Sequence, residues 1–173
     1  MTNSNITLGL DLSTTTTGYA YTRNGHIIDA GFIDLKKSET INGKAVVASK
    51  FLIEDNPYKD DIFQVNIEEK LSGFRQGRTS QQTLIKLAGF HAVFCFILEQ
   101  IYKLPVKTVH PLTARKQVLG KSYEKGVDPK EFVMIRLLQM IPDLQEWDKL
   151  NTHKNWDKRN YDMYDAIVQS LYI

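Results

Sequence analysis

Ile6, Leu8, Leu10 and Leu12 alternate with Thr7, Gly9, Asp11 and Ser13, the period of two that marks a strand with one buried face. Threonines and Gly18 follow, and Thr17 to Arg23 (TGYAYTR) reads as a second strand. Asn24-Gly25 then supplies a tight hairpin, because both residues tolerate positive φ. His26 to Leu35 is the third strand, so the chain opens as a three-stranded antiparallel meander. Lys36 to Gly43 is polar and loop-like, and Lys44 to Glu54 fits a helix better than a strand. After the break at Asn56-Pro57, Ile62 to Glu68 (IFQVNIE) forms a fourth strand that ends in acid.

Thr79 and Gln82 have the spacing of a capping box, which predicts a long apolar helix from there to about Tyr102. Its apolar residues surround it on nearly every face, so it reads as a buried helix covered on more than one side, by the sheet and by a second subunit. Beyond Pro105, Val106 to Val109 is the fifth strand and Thr113 to Leu119 a short helix stopped by Gly120. Asp128-Pro129-Lys130-Glu131 places Asp at an N-cap, Pro at the first helical position and Glu at the third, and the helix it starts runs to about Met140. Asp143 to Asn160 reads as irregular, anchored by Trp147 and Trp156, and Tyr161 to Leu171 as a final helix. The result is an α/β chain with a five-stranded mixed sheet flanked by helices. Its 173 residues fit a single domain.

Composition changes this picture in one respect. A net charge of +2 hides an asymmetry: Lys70 to Lys125 carries ten basic and two acidic residues, a formal +8, leaving the remainder at −6. A basic middle third suits a polyanionic partner, although a solvated basic face accounts for it equally. The lone cysteine, Cys95, lies in an apolar run and excludes an internal disulfide framework, which fits a reducing compartment. The N-terminal residues show no secretory signal. The apolar run from Leu84 to Tyr102 falls just short of the ~20 residues of a membrane span, so no membrane partner is expected.

The acids carry the chemistry. Asp is disfavoured in strands and costly to bury unpaired, so Asp11 calls for either a turn hydrogen bond or a cation. Glu68 and Glu69 end an apolar strand in the same manner; period two turns them to opposite faces, so only one of them can serve a site with Asp11. Asp162 and Asp165, at i and i+3, project from one helix face, either into solvent or into such a site. Hard oxygen donors in groups of three or four are what Mg²⁺ or Mn²⁺ requires. Two such ions ~3.5–4 Å apart support phosphodiester hydrolysis.

The runs LGLDLSTTTTGYA, VNIEEKLSGF, SQQTLIKLAGFHAVFCFILEQ, LPVKTVHPLTARKQVLG and YDMYDAIVQSL, in this order and spacing over nearly the whole chain, resemble the RuvC family of Holliday-junction resolvases. The resemblance implies a ribonuclease H-like fold and a homodimeric endonuclease that resolves four-way DNA junctions by paired symmetric cleavage. It implies Mg²⁺, replaceable by Mn²⁺, with two ions per site held by Asp11, Glu68, Asp162 and Asp165. Arg115 or Lys116 matches a basic catalytic-site residue suited to the scissile phosphate. Lys70, Phe74, Arg75, Arg78 and Lys121 are the implied DNA contacts. The aromatic that probes the junction centre in the family falls by spacing on Leu71, with Phe74 nearby. Bacterial members often read Asp-Pro-Gly where this chain reads Asp11-Leu12-Ser13. The implied location is the cytoplasm or nucleoid, or another reducing compartment that holds DNA.

Three rival functions remain: a general branched-DNA nuclease, an actin-like phosphate-binding ATPase or kinase, and a non-catalytic DNA binder. LDLSTTTTG suits an actin-like phosphate hairpin, but the chain has no second such hairpin. An inactive binder would gain by losing acids near phosphates.

Overall fold

The structure, a computed structural model, describes residues 5–69 and 81–173. Its sheet contains β1 (Ile6–Leu12), β2 (Thr16–Arg23), β3 (His26–Asp34), β4 (Ile62–Glu68) and β5 (Val106–Val109) in the spatial order β3-β2-β1-β4-β5. β2 is antiparallel to β1 and β3, and β4 runs parallel to both β1 and β5. This is the expected mixed sheet. Asn24 and Gly25 take φ of 53° and 78° at the β2–β3 turn, the conformations the hairpin requires.

The period-two pattern of β1 sorts its side chains between two cores. Ile6, Leu8, Leu10 and Leu12 pack with Val65, Ile67, Phe90, Phe94 and Leu98 on one face. α1 (Ile41–Ser49) and α2 (Gln81–Tyr102) cover that side. The opposite core is built on α4 (Pro129–Met140) and α5 (Asn160–Leu171), with Phe132, Leu137, Tyr164 and Ile167 at its centre. α3 (Pro111–Leu119) joins this second layer through Ala114 and Leu119. Each buried aromatic or aliphatic side chain contributes about 1.5–3 kcal/mol of transfer free energy.

Four expectations need correction or refinement. α1 starts at Ile41, not Lys44, because the Thr40 hydroxyl accepts from Gly43 N and caps it; one wide turn over Lys50–Glu54 continues it. α3 starts at Pro111, where the His110 ring accepts from Leu112 N. Residues 142–160 are more regular than expected: Pro142–Trp147 is a 3₁₀ helix, and Leu150 bridges Trp156 in a small hairpin. Finally, α2 is not a buried helix. It buries only Phe90, Phe94 and Leu98, while Ile85, Phe96 and Ile101 are exposed. By length and composition alone α2 could cross a membrane, with a mean hydropathy of 1.6, yet one of its faces is part of the sheet core. The Thr79–Gln82 capping box lies partly outside the described residues.

Candidate active site

β1 places Asp11 on the α5 face, opposite the leucines. Its antiparallel partner is Gly18 on β2. A Cβ on Gly18 would collide with the Asp162 carbonyl, and one on Gly9 with the backbone of Ala166 and Ser170. Glycine at these two positions therefore lets α5 lie directly on the sheet, with its first turn over Asp11. On the other side, β1 and β4 run in step, Gly9 beside Asn66 and Leu10 beside Ile67. Asp11 and Glu68 each follow the last pair of that register, at the carboxyl ends of two parallel strands, where open α/β sheets bind ligands. Glu69 is exposed, and its N–H donates to Val109 O at 2.8 Å, so Glu68 is the acid of this site.

The helix contributes two more carboxylates. Asp165 is 3% exposed and ion-paired at 2.9 Å with Arg115 of α3. Asp162 pairs with Lys130 of α4 at 2.7 Å. Burial, and then repulsion from Asp11, push the Asp165 carboxyl up to about 6 despite Arg115 and Lys130. Although burial pulls it down, the Lys130 ammonium is held above its ordinary value by Asp162, Asp11 and Asp165. Asp11 thus acts on Asp165, and Asp11, Asp162 and Asp165 all act on the Lys130 ammonium, so three carboxylates and the two bases Arg115 and Lys130 share one charged neighbourhood.

Among the described residues, no three acidic, histidine or cysteine side chains are gathered tightly enough to hold a metal ion in this arrangement. The cause is visible: two of the four acids are turned to Arg115 and Lys130. The donor set is nevertheless hard oxygen throughout, and Asp165 is destabilised as an anion in a way that added positive charge would relieve. The chemistry of these side chains, though not their present spacing, suits a divalent ion.

The structure brings together Asp11, Asp162, Asp165, Arg115 and Lys130, and places Glu68 at the end of the strand beside β1. Lys116 is exposed, lines a shallow groove with His110, Gln117 and Ser122, and makes no ion pair among the described residues. Lys121 is exposed just beyond α3. Lys70, Leu71, Phe74, Arg75 and Arg78 lie outside the described residues. The residue that sequence reasoning missed is Lys130, taken only as part of a helix start. Its signal was a base in a first helical turn, where the dipole disfavours positive charge.

No family model and no curated protein sequence matches the chain. Solved structures do. Thermus thermophilus RuvC in complex with a Holliday-junction substrate superposes with a TM-score of 0.63 at 13% identity, over 96% of this chain and 90% of that one. The fold is that of RuvC. A further structure of Thermus thermophilus RuvC gives 0.60 at 12% identity, over 96% and 91%. The yeast mitochondrial Holliday-junction resolvase Ydc2 gives 0.63 at 14% identity, over 97% of this chain and 77% of that one. The RuvC fold accounts for the meander, the two parallel strands and the closing helix on the acid face.

Proposed function

We propose that the chain is a divalent-metal-dependent endodeoxyribonuclease, a single RuvC-like domain that acts as a homodimer and resolves four-way DNA junctions by paired symmetric cuts. The observation that carries this reading is the meeting of Asp11 of β1 with Asp162 and Asp165 of α5, with Glu68 ending the neighbouring strand. Asp11 and Asp165 repel each other on a packed face, and Arg115 and Lys130 offset that repulsion only in part, a deficit that a bound cation would relieve.

Mg²⁺ ions bound by Asp11, Glu68, Asp162 and Asp165 would polarise the scissile phosphate and supply an activated water. The chain's own residues do the rest. Arg115, fixed by Asp165, presents a guanidinium edge to a non-bridging phosphate oxygen and stabilises the charge that grows there. Lys130, 48% exposed at its side chain, is free to exchange Asp162 for a phosphate oxygen as DNA enters. Lys121 and the basic segment from Lys70 to Arg78, with Phe74 as the aromatic available at the junction centre, hold the backbone and branch point. The exposed apolar residues of α2, together with Val46 and Phe51 beside it, form the surface for the second copy, so that two sites face two strands.

The test is incubation of the protein with a synthetic four-way junction and Mg²⁺, with products mapped to the nucleotide. Paired nicks related by two-fold symmetry are expected, abolished by EDTA and restored by Mg²⁺ or Mn²⁺. Equal cleavage of flaps, forks and junctions would replace the reading by a general branched-DNA nuclease. ATP binding without cleavage would replace it by a phosphate-binding ATPase.

A further inference from the structure

The segment between the 3₁₀ helix and α5, residues 148–159, is a closed hairpin. Asn151 N donates to Asn155 O at 2.8 Å, and the Asn151 side chain accepts from His153 N and Asn155 N at the tip. At its base, Asn160 brackets Lys149 with two hydrogen bonds. Trp156 Nε1 donates to Asp148, which also accepts from the Tyr164 hydroxyl. Nothing in the catalytic reading uses this hairpin, yet twelve residues with so many internal bonds form an ordered element.

Its charges are sorted. The two acids are both engaged within the fold: Asp148 by Trp156 and Tyr164, and the buried Asp157 by Arg159. Lys149 has Asp29 of β3 nearby. Lys154 and Lys158 are exposed and make no ion pair among the described residues, with His153 exposed beside them. A merely solvated loop has no need to turn its acids in and its bases out. The hairpin also adjoins the acids. The Trp156 ring meets Tyr161 edge-on at 4.8 Å, and the Lys130 ammonium lies 6.0 Å above the Tyr161 ring while it pairs with Asp162. Arg159 clamps the exit of the hairpin to Asp34 at the end of β3, one turn before Asp162.

We infer that the 148–159 hairpin is a second nucleic-acid-binding arm, whose Lys154 and Lys158 contact backbone phosphates of the duplex leaving the acid site on the β3 side, opposite Arg115 and Lys121. The ligand is a DNA backbone and not a particular base, because the exposed groups are point charges without a rigid base-reading donor pattern. The inference rests on the nuclease reading above and adds to it a second wall of the DNA channel.

The experiment is equilibrium binding of a synthetic four-way junction in EDTA, across a salt series, by the wild type, the Lys154→Asn/Lys158→Gln double variant and Lys59→Gln. Lys59 precedes β4, at the far end of the sheet. Asn is chosen because Lys154 has a φ of 62°, a left-handed conformation that Asn tolerates. The double variant is expected to bind more weakly, with its log K against log salt slope reduced by roughly 2, about 0.9 per lost phosphate contact. Lys59→Gln keeps the wild-type slope. In parallel, lysine acetylation of the wild type reads the same contact without any substitution: the junction should protect Lys154 and Lys158 but not Lys59. Wild-type affinity and slope in the double variant, or absence of protection, overturn the arm while leaving the nuclease reading in place. A wild type that binds no DNA overturns both.

Discussion

The two ends of α5 meet the same sheet face in opposite ways. Toward its C-terminus the contacts are neutral and closed: Asn66 Nδ2 donates to Gln169 O and Tyr172 O, each at 2.8 Å, and Thr22 Oγ1 donates to Ser170 O at 2.8 Å. Toward its N-terminus the contacts are charged and mutually repelling, with Asp11 against Asp165 and two bases only partly offsetting them. One helix is thus fastened at one end and loaded at the other. Hydrogen bonds that satisfy both partners stabilise the docked helix, whereas buried like charges cost stability. A fold keeps such a cost where the charge has chemical use.

The largest effect expected from breaking this asymmetry is on cleavage. Asp11→Asn should reduce junction cutting by on the order of 10³-fold, beyond the 10–100-fold typical of second-sphere changes around a metal. Thermal stability should be retained or raised, because the substitution removes a repelling charge; a cleavage assay beside a melting curve separates this outcome from loss of fold. Next is Gly18→Val, whose side chain must displace the Asp162 backbone. It should cost about 3 kcal/mol in urea unfolding and disable cleavage by lifting α5. At the fastened end, Asn66→Ala removes the two hydrogen bonds to Gln169 O and Tyr172 O and should cost about 1–3 kcal/mol, leaving the cleavage per folded molecule near wild type.

The pH dependence sharpens the same contrast. Because the Asp165 carboxyl lies at about 6 in the folded protein, against about 3.9 for an unfolded aspartate, the folded state holds the extra proton between those values. Its contribution to stability is full below about pH 4 and is lost as pH rises through 6. Asp165→Asn should therefore gain stability relative to wild type across that window, by about 1–3 kcal/mol at neutral pH. Arg115, left without its carboxylate, lowers that gain. Paired denaturation curves at pH 4, 5, 6 and 7 measure the difference.

Local chemistry made most of the fold readable. The alternation in Ile6 to Leu12, the Asn24-Gly25 turn and the Asp128-Pro129 helix start are short-range signals, and each stands where it was expected. Asp11, Glu68, Asp162 and Asp165 stood out because acids at the ends of apolar elements need an explanation. What was not readable depends on contacts across the chain. Nothing near Lys130 in sequence points to Asp162, and nothing near Gly18 announces that a helix backbone will rest on it. The Asn151 turn and the Trp156–Asp148 bond create order in a stretch whose polar composition reads as loop. α2 was legible only in part: apolar residues all round called for cover by the sheet and by a second subunit, and within the described residues the sheet covers one face while Ile85 and Phe96 stay exposed.

The claim on which all of this depends is that the loaded end of α5 is a divalent-cation site. The direct measurement is a Mg²⁺ and Mn²⁺ titration followed by thermal unfolding and by calorimetry, for the wild type and for Asp11→Asn. Saturable binding that raises the wild-type melting temperature, absent in Asp11→Asn, is the predicted result. Identical flat titrations for both proteins, with junction cleavage unaffected by EDTA, would contradict it.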